Sequence, residues 1–407
     1  MYNQRGSFNS RGSNRFASRG RFGRPSNRGN RFNNQPSPGA VHAFIRKASV
    51  QQEQKVEEEV KSTMQFGDLV INDKLKANII NHGYSQLMPI QERVIPAILD
   101  GKDVIGIANT GTGKTAAFLI PIIEKIIHNP NYRTLIITPT RELALQIRDE
   151  MRKFTSQIPV YSTFCIGQSS IYNQISELRR NPHVVIGTPG RLKDLIERNI
   201  LKLNFFQMIV LDEADQMLDM GFLPDIKHII SFLPQKRQSL FFSATVSSEI
   251  DRLIRSFVTD PITISVKINE TTSHIRQEIV TVERGKSKVE ILDSLLKKEN
   301  AKKVLVFGRT KMGVERLSQD LFRKGFKVTS IHGDKPQFKR QQAIRMFKEN
   351  VVNILVATDV AARGLDIADI SHVINYDPPS TYENYIHRIG RTGRADKRGT
   401  ALTFIEG

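Results

Sequence analysis

The chain has 407 residues, of which 39% are hydrophobic and 25% are charged, a composition typical of a globular protein with room for two domains of ordinary size. Its 60 Lys and Arg against 41 Asp and Glu give a formal net charge of +19, which favours a polyanionic partner, either nucleic acid or an anionic membrane surface. The single cysteine, Cys165, excludes an internal disulfide, and no run of about 20 apolar residues could span a bilayer, so we expect a cytoplasmic protein without a membrane partner.

The N-terminal segment, residues 1–52, is predicted to be a disordered tail followed by a spacer over residues 53–65. Residues 1–38 are mainly Arg, Gly, Asn, Ser and Phe, which cannot bury a core. No acidic residue precedes Glu53, so ten positive charges accumulate before it. Phenylalanines between the arginines could stack on unpaired bases, which favours binding to RNA and RNA–protein complexes. A purely solubilising tail is the alternative.

From Phe66 onward, short β-branched apolar runs alternate with longer helical patterns, as in βαβ units around a parallel sheet. Two sets of strands are predicted. The first is Val104–Ala108, Thr134–Thr138, Val184–Thr188, Met208–Leu211 and Leu240–Phe242, and the second is Val304–Phe307, Val328–His332, Ile354–Ala357, Val373–Tyr376 and Ala401–Phe404. A polar linker is predicted over residues 267–275. The expected fold is therefore α/β, with two tandem open-sheet domains over residues 66–266 and 276–407.

A phosphate-binding loop is predicted directly after the first strand, where a glycine-rich segment opens a helix. The segment comprises Thr110, Gly111, Thr112, Gly113, Lys114 and Thr115. Its glycines let backbone N–H groups wrap phosphates, Lys114 can reach the β- and γ-phosphates, and the Thr115 hydroxyl suits Mg²⁺. Ala108 stands where such loops usually have their first glycine, so a second nucleotide motif is needed to support ATP binding.

The acidic segment after strand Met208–Leu211 supplies that second motif. Asp212 would hold Mg²⁺, Glu213 would orient the attacking water, and Asp215 completes the Asp-Glu-Ala-Asp tetrad. A solvated acidic turn is the alternative, but the phosphate loop about a hundred residues upstream argues against it.

The second domain has no phosphate loop, yet it contains three closely spaced arginines, Arg388, Arg391 and Arg394. They would be costly to bury without anionic partners, so we expect them to face phosphate or solvent. Arginines from this domain could reach the γ-phosphate held by the first domain, as arginine fingers do in phosphoryl transfer. ATP would then join the two domains, whereas a basic surface loop contacting RNA is the alternative.

Together these motifs closely resemble those of the DEAD-box RNA helicases, from Phe66 to nearly the last residue. Phe66, Gly83-Tyr84 and Pro89-Ile90-Gln91 look like the adenine-reading segment of that family. The resemblance implies two RecA-like domains, ATP with Mg²⁺ as cofactors, and RNA as partner. It implies that nucleotide binding and hydrolysis involve Phe66, Gln91, Lys114, Asp212, Glu213, Asp366, Arg391 and Arg394. It implies that the RNA backbone is contacted by Thr140, Arg141, Thr188, Arg191 and Thr358. It also implies that hydrolysis is coupled to unwinding through Asp215, Ser243, Thr245 and His387.

Two further features depart from the family pattern. Gly167-Gln168 stands where the family usually has a Gly-Gly pair. The chain ends at Gly407, just after the last predicted strand, where family members usually continue into another helix, so we expect apolar surface of the second sheet to be uncovered.

The predicted function is that of an ATP-dependent RNA helicase that binds single-stranded RNA without sequence preference. It would unwind short duplexes locally on ATP binding and release RNA after hydrolysis. A processive DNA helicase or translocase is one alternative, against which Gln91 with Phe66, Asp215 and His387 argue. A non-enzymatic RNA chaperone acting through the tail is another.

Overall fold

The computed structural model describes residues 36–53, 62, 64–109, 111–245, 248–255, 257–258, 260–266, 274–298, 301–362, 365, 367, 369–393 and 397–406. The predicted tail up to residue 35, and most of the predicted spacer and linker, lie outside the described residues. Thr110, Asp366 and Arg394 lie outside them as well. In the described ranges, no helix combines the length and apolar character needed to cross a membrane.

The first seven strands alternate with helices and form one sheet. In chain order the helices are α1 (Pro38–Glu53), α2 (Asp73–Asn81), α3 (Pro89–Leu99), α4 (Lys114–His128), α5 (Arg141–Phe154), α6 (Ile171–Leu178), α7 (Pro189–Glu197), α8 (Ala214–Asp219), α9 (Leu223–Ser231) and α10 (Ser248–Arg255). The strands are β1 (Val104–Ala108), β2 (Thr134–Ile137), β3 (Ser162–Cys165), β4 (Val184–Gly187), β5 (Met208–Leu211), β6 (Gln238–Ser243) and β7 (Ile262–Val266). A short 3₁₀ helix, Phe66–Asp68, precedes α2.

The other strands form a second sheet. They are β8 (Ile275–Val282), β9 (Val304–Phe307), β10 (Val328–Ile331), β11 (Ile354–Ala357), β12 (His372–Asn375) and β13 (Gly399–Glu406). The helices of this part are α11 (Lys288–Lys298), α12 (Lys311–Arg323), α13 (Gln337–Lys348), α14 (Asp359–Ala362) and α15 (Tyr382–Ile389).

Both sheets are parallel throughout, with strand orders β3-β4-β2-β5-β6-β1-β7 and β10-β11-β9-β12-β13-β8. Alternate residues of a central strand enter two separate apolar cores, as Val210 enters one and Ile209 and Leu211 the other. Helices therefore cover both faces, as parallel sheets require. The predicted α/β fold with two parallel-sheet domains is confirmed. The carboxyl ends of the central strands carry the predicted site motifs, where ligands bind in such sheets.

Each of the ten predicted strands is present, with bounds shifted by two residues at most. Three further strands, β3, β7 and β8, were not predicted, and each lies at an edge of its sheet. Edge strands have one partner and a partly exposed surface, so their residues show mixed burial instead of forming a continuous buried run. Because β8 begins at Ile275, the predicted linker, residues 267–275, extends too far.

Helix α1 corrects the prediction that residues 1–52 are a disordered tail throughout. Val41, Phe44, Ile45 and Ala48 recur at helical spacing and pack against Tyr382, Tyr385, Ile386 and Ile389 of α15 and against Ile275 and Ala401 of the second sheet. Val41 and Ala48 are fully or almost fully buried, and Lys47 Nζ lies 4.3 Å from the centre of the Tyr382 ring. The expectation of uncovered apolar surface is corrected in part, because α1 covers this portion of the second sheet.

Candidate nucleotide site and nucleic-acid interface

The phosphate loop lies between β1 and α4 and depends on left-handed backbone at two glycines. Gly111 and Gly113 have φ values of +89° and +84°. A Cβ atom on Gly113 would lie 2.4 Å from Gln91 Nε2, so only glycine fits there. Gln91 Nε2 donates to the Gly113 carbonyl at 3.0 Å, and Gln91 Oε1 accepts from the Met88 amide at 2.8 Å. Gln91 thus ties the start of α3 to the phosphate loop.

Two side chains of the loop, Lys114 and Thr112, hydrogen-bond to its own backbone carbonyl groups and hold its shape. Lys114 is buried, and its Nζ donates to the Ala108 carbonyl at the end of β1. The Thr112 hydroxyl donates to the Asn109 carbonyl at 2.8 Å, so Thr112 stabilises the loop from within. Backbone N–H groups at the N-terminus of α4, together with Lys114 and Thr115, provide the donors that bind phosphates in such loops.

Two adjacent buried carboxyl groups face this loop from the end of β5. Burial raises the pKa of Asp212 to about 6, opposed by the nearby charge of Lys114. Burial and the charge of Asp212 raise the pKa of Glu213 to about 7, opposed by Lys114 and Arg391. Glu213 also has left-handed backbone, with φ +54° and ψ +50°, and its buried Oε2 has no hydrogen-bond partner. Such strain and unpaired charge are features that cluster at functional sites.

A cavity of about 740 Å³ unites these groups. Its walls include Gln91, Gly111, Gly113, Lys114, Thr115, Asp212 and Glu213 among the predicted site residues, and Tyr84 and Lys348 in addition. Phe66, predicted to bind the nucleotide, is fully buried and is not on the wall; its ring meets Tyr84 edge-on at 5.8 Å. The aromatic surface facing the cavity is therefore Tyr84, and Phe66 supports it from the core. The sequence alone does not show which of the two rings is exposed.

The three arginines of the second domain have different environments. The charge of Arg391 opposes the rise in the pKa of Glu213, and Arg391 donates to the Leu365 carbonyl at 2.7 Å. Arg388 is 3% exposed and forms two bonds with Asp359, at 2.6 and 2.7 Å. The expectation that it faces phosphate or solvent is wrong, because the Asp359 carboxylate supplies the anionic partner inside the domain. Arg394 lies beyond the described residues.

A second cavity, of about 410 Å³, lies between the domains and is lined by guanidinium groups. Its walls include Thr140, Arg141, Thr188 and Arg191 from the first domain, and Gly333, Arg340 and Val360 from the second. Burial and the charges of Arg340 and Arg191 lower the pKa of Arg141, against the opposing charge of Glu142. Thr358 is buried at the end of β11 and is not among the lining residues. A cavity with crowded cations favours a polyanionic ligand.

A buried ion pair joins the two domains beside this cavity. Arg340 Nη2 of α13 donates to Glu142 Oε2 of α5 at 2.7 Å, and Gln337 Nε2 donates to Glu142 Oε1 at 3.1 Å. The Arg340 and Glu142 side chains are 7% and 3% exposed. The two residues are 198 positions apart, and no sequence spacing indicates that they meet.

The predicted coupling residues Asp215, Ser243 and Thr245 are in contact. Asp215 Oδ2 accepts from the Ala244 amide, the Thr245 amide and the Thr245 hydroxyl at 3.1, 3.1 and 3.3 Å. The Ser243 hydroxyl donates to the Thr245 carbonyl at 2.6 Å. The fourth coupling residue, His387, lies on α15, one turn from Arg391. The acidic segment after β5 is thus hydrogen-bonded to the loop after β6.

Comparison with known proteins identifies the family. The model of the DEAD/DEAH box helicase family matches residues 88–253, and that of the helicase conserved C-terminal domain matches residues 287–396. The ATP-dependent RNA helicase CshA of Limosilactobacillus reuteri is 47% identical over 343 residues, which are 84% of this chain and 69% of that protein.

Solved structures also match, with different TM-scores. Dbp5 of S. cerevisiae bound to RNA and ADP BeF3 is 31% identical with a TM-score of 0.75, over 84% of this chain and 90% of that one. A Dbp5 variant bound to nup159, gle1, IP6 and ADP is 28% identical with a TM-score of only 0.57, over 83% and 89%. At nearly equal coverage, this chain is therefore structurally more similar to the first Dbp5 structure than to the second. The chain belongs to the DEAD-box family of ATP-dependent RNA helicases.

Proposed function

We propose that this chain binds single-stranded RNA without sequence preference, unwinds short duplexes locally when ATP closes the two domains, and releases RNA after hydrolysis. The observation that carries the proposal is that Lys348 of the second domain lines the same cavity as Lys114 and Glu213 of the first, while the buried Arg340–Glu142 pair joins the two domains. Residues of both domains therefore surround the nucleotide cavity, so domain closure would link ATP binding to the cavity between the domains.

In this proposal Glu213 orients and deprotonates the attacking water. A general base works best when its pKa is near the operating pH, and burial raises the pKa of Glu213 to about 7. Its buried Oε2 has no protein partner and can accept from that water. Lys114 and Arg391 neutralise charge that develops on the transferred phosphoryl group, and Arg394 is proposed to assist.

Mg²⁺ fits the same site. The described residues contain no cluster of three or more His, Cys, Asp or Glu side chains that could hold a metal, so an ion here would take its other ligands from ATP and water. Thr115 and Asp212 would hold it, and the ion would supply charge neutralisation at the phosphates. The fit follows from the burial of Asp212, because a buried carboxylate is costly unless a cation offsets its charge.

The cavity between the domains is proposed to hold the RNA backbone. Thr140, Arg141, Thr188 and Arg191 are of the residue types that contact phosphate and ribose, and such contacts carry no sequence information. Thr358 is proposed to act from the second domain through its backbone, because its side chain is buried. In this proposal a bent or unpaired strand contacts both domains at once. Closure of the domains on one strand would therefore separate it locally from its complement.

Steady-state ATP hydrolysis by the full chain tests the proposal. We expect strong stimulation by single-stranded RNA and little by single-stranded DNA of the same sequence. Lys114→Ala should abolish turnover, whereas Glu213→Gln should lower it by at least about a hundredfold, the smallest usual contribution of a general base, while retaining ATP-dependent RNA binding. Equal stimulation by DNA would favour a translocase, and parental turnover in Glu213→Gln would refute the assigned mechanism.

A further inference from the structure

The Gly167-Gln168 pair of the first domain carries an inference that rests on the proposed RNA-dependent function and goes beyond it. Gln168 follows β3 and has a φ of +56°, a left-handed backbone that is disfavoured for residues other than glycine. Because this backbone conformation favours glycine, the role of Gln168 depends on the contacts of its side chain.

The Gln168 carboxamide contacts both domains. Its Oε1 accepts from Arg141 Nη1, at the wall of the cavity proposed for RNA. Its Nε2 donates to the Gly333 carbonyl of the second domain at 3.3 Å. Gly167 leaves room for this arrangement, since a Cβ atom there would lie 3.2 Å from Arg141 Nη2. One neutral side chain thus joins an RNA-facing arginine to the opposite domain.

The glutamine amide supplies both the acceptor and the donor that the two bonds need. Glycine and alanine have no polar side-chain atoms, methionine has neither the donor nor the strong acceptor, and glutamate accepts but cannot donate to a carbonyl. The bridge needs no nucleic acid, because both of its partners are protein groups. In the absence of RNA, the bridge therefore fixes the orientation of the Arg141 side chain and attaches the loop of Gly333 to the first domain.

We propose that Gln168 is a positioning residue that orients Arg141 and joins the two domains, so that the closed, RNA-binding arrangement is partly formed without RNA. The bridge lowers the amount of RNA needed for closure without taking part in ATP chemistry.

The experiment uses the full-length chain and two substitutions that separate hydrogen bonding from backbone strain. Gln168→Met keeps the size and the strained backbone and removes the bridge, whereas Gln168→Gly removes the bridge and relieves the strain. Gln157 provides a matched control, because it is an exposed glutamine with a φ of +59° on the same domain. ATP turnover is measured against the concentration of an oligouridylate.

We expect both Gln168 variants to raise the half-saturating RNA concentration about threefold to tenfold, the range for one or two exposed hydrogen bonds, with turnover at saturating RNA unchanged. Turnover without RNA should fall. Gln157→Met and Gln157→Gly should match the parent. Domain closure is measured by energy transfer between dyes attached to the exposed positions of Tyr172→Cys and Phe322→Cys, since buried Cys165 would not react with the dyes. With ATP and without RNA, the Gln168 variants should show less closure than the parent.

Parental RNA dependence and parental closure in Gln168→Met would overturn the proposal. A lower half-saturating concentration in both variants would do so as well, because it would mean that the side chain obstructs RNA. A change in Gln168→Gly alone would assign the effect to the backbone. Absence of RNA stimulation in the parent would instead refute the proposed function itself.

Discussion

Replacement of Arg340 by methionine should open the enzyme without unfolding it. Removing one partner of a buried ion pair costs about 3 to 5 kcal/mol when the other charge stays buried. Here the domains can separate and expose Glu142 to water, so the cost falls on closure and not on the folding of either domain. Gln337 still donates to Glu142, which favours the lower figure. A loss of about 3 kcal/mol corresponds to roughly a hundredfold in the closure equilibrium.

RNA affinity in the presence of a non-hydrolysable ATP analogue reports this equilibrium. We expect Arg340→Met to weaken it roughly a hundredfold, with thermal unfolding unchanged. Arg340 also lines the cavity proposed for RNA, so loss of a direct phosphate contact must be distinguished from loss of the bridge.

Glu142→Gln separates these explanations, because they predict effects of opposite sign. Removing a negative charge beside the cavity would strengthen RNA binding by electrostatics alone, whereas loss of the bridge weakens it. We expect weaker binding, and the double variant Glu142→Gln with Arg340→Met should lose less than the sum of the single losses. RNA binding by Glu142→Gln at or above the parental affinity would refute the bridging role.

The remaining predictions concern coupling, stability and the tail. Asp215→Asn weakens three hydrogen bonds to the loop after β6. We expect RNA-stimulated ATP turnover to persist in this variant while the rate of strand separation falls. Equal losses of turnover and strand separation would contradict a coupling role. Phe44→Ala should lower the free energy of unfolding by about 1 to 2 kcal/mol, because Phe44 is only partly buried and loss of a fully buried phenylalanine costs about 3 to 5 kcal/mol. Thermal unfolding measures this loss, with His42→Ala, at an exposed position of the same helix, as the control. Deletion of residues 1–35 should weaken RNA binding and reduce the slope of log affinity against log salt by about 0.7 for each lost phosphate contact. An unchanged slope would show that the tail makes none.

The sequence determined the architecture and the chemistry of the nucleotide site because both depend on local patterns. Central strands of a parallel sheet are buried on both faces, so runs such as Met208–Leu211 are apolar throughout and easily recognised. The glycines before Lys114 and the acids after β5 are adjacent in the chain, and their roles follow from residue type and from the strand that precedes them.

Tertiary structure alone decided the pairings between distant segments. Edge strands β3, β7 and β8 have mixed burial, so their identity depends on which strands they meet. The apolar residues of helix α1 recur at helical spacing, but only the tertiary structure shows that they pack against α15 and the second sheet. The Arg388–Asp359 pair, the Arg340–Glu142 pair and the Gln168 bridge each join residues that are far apart in sequence. Burial and partner choice set the energy of a charged or polar group, and neither is a property of the local sequence.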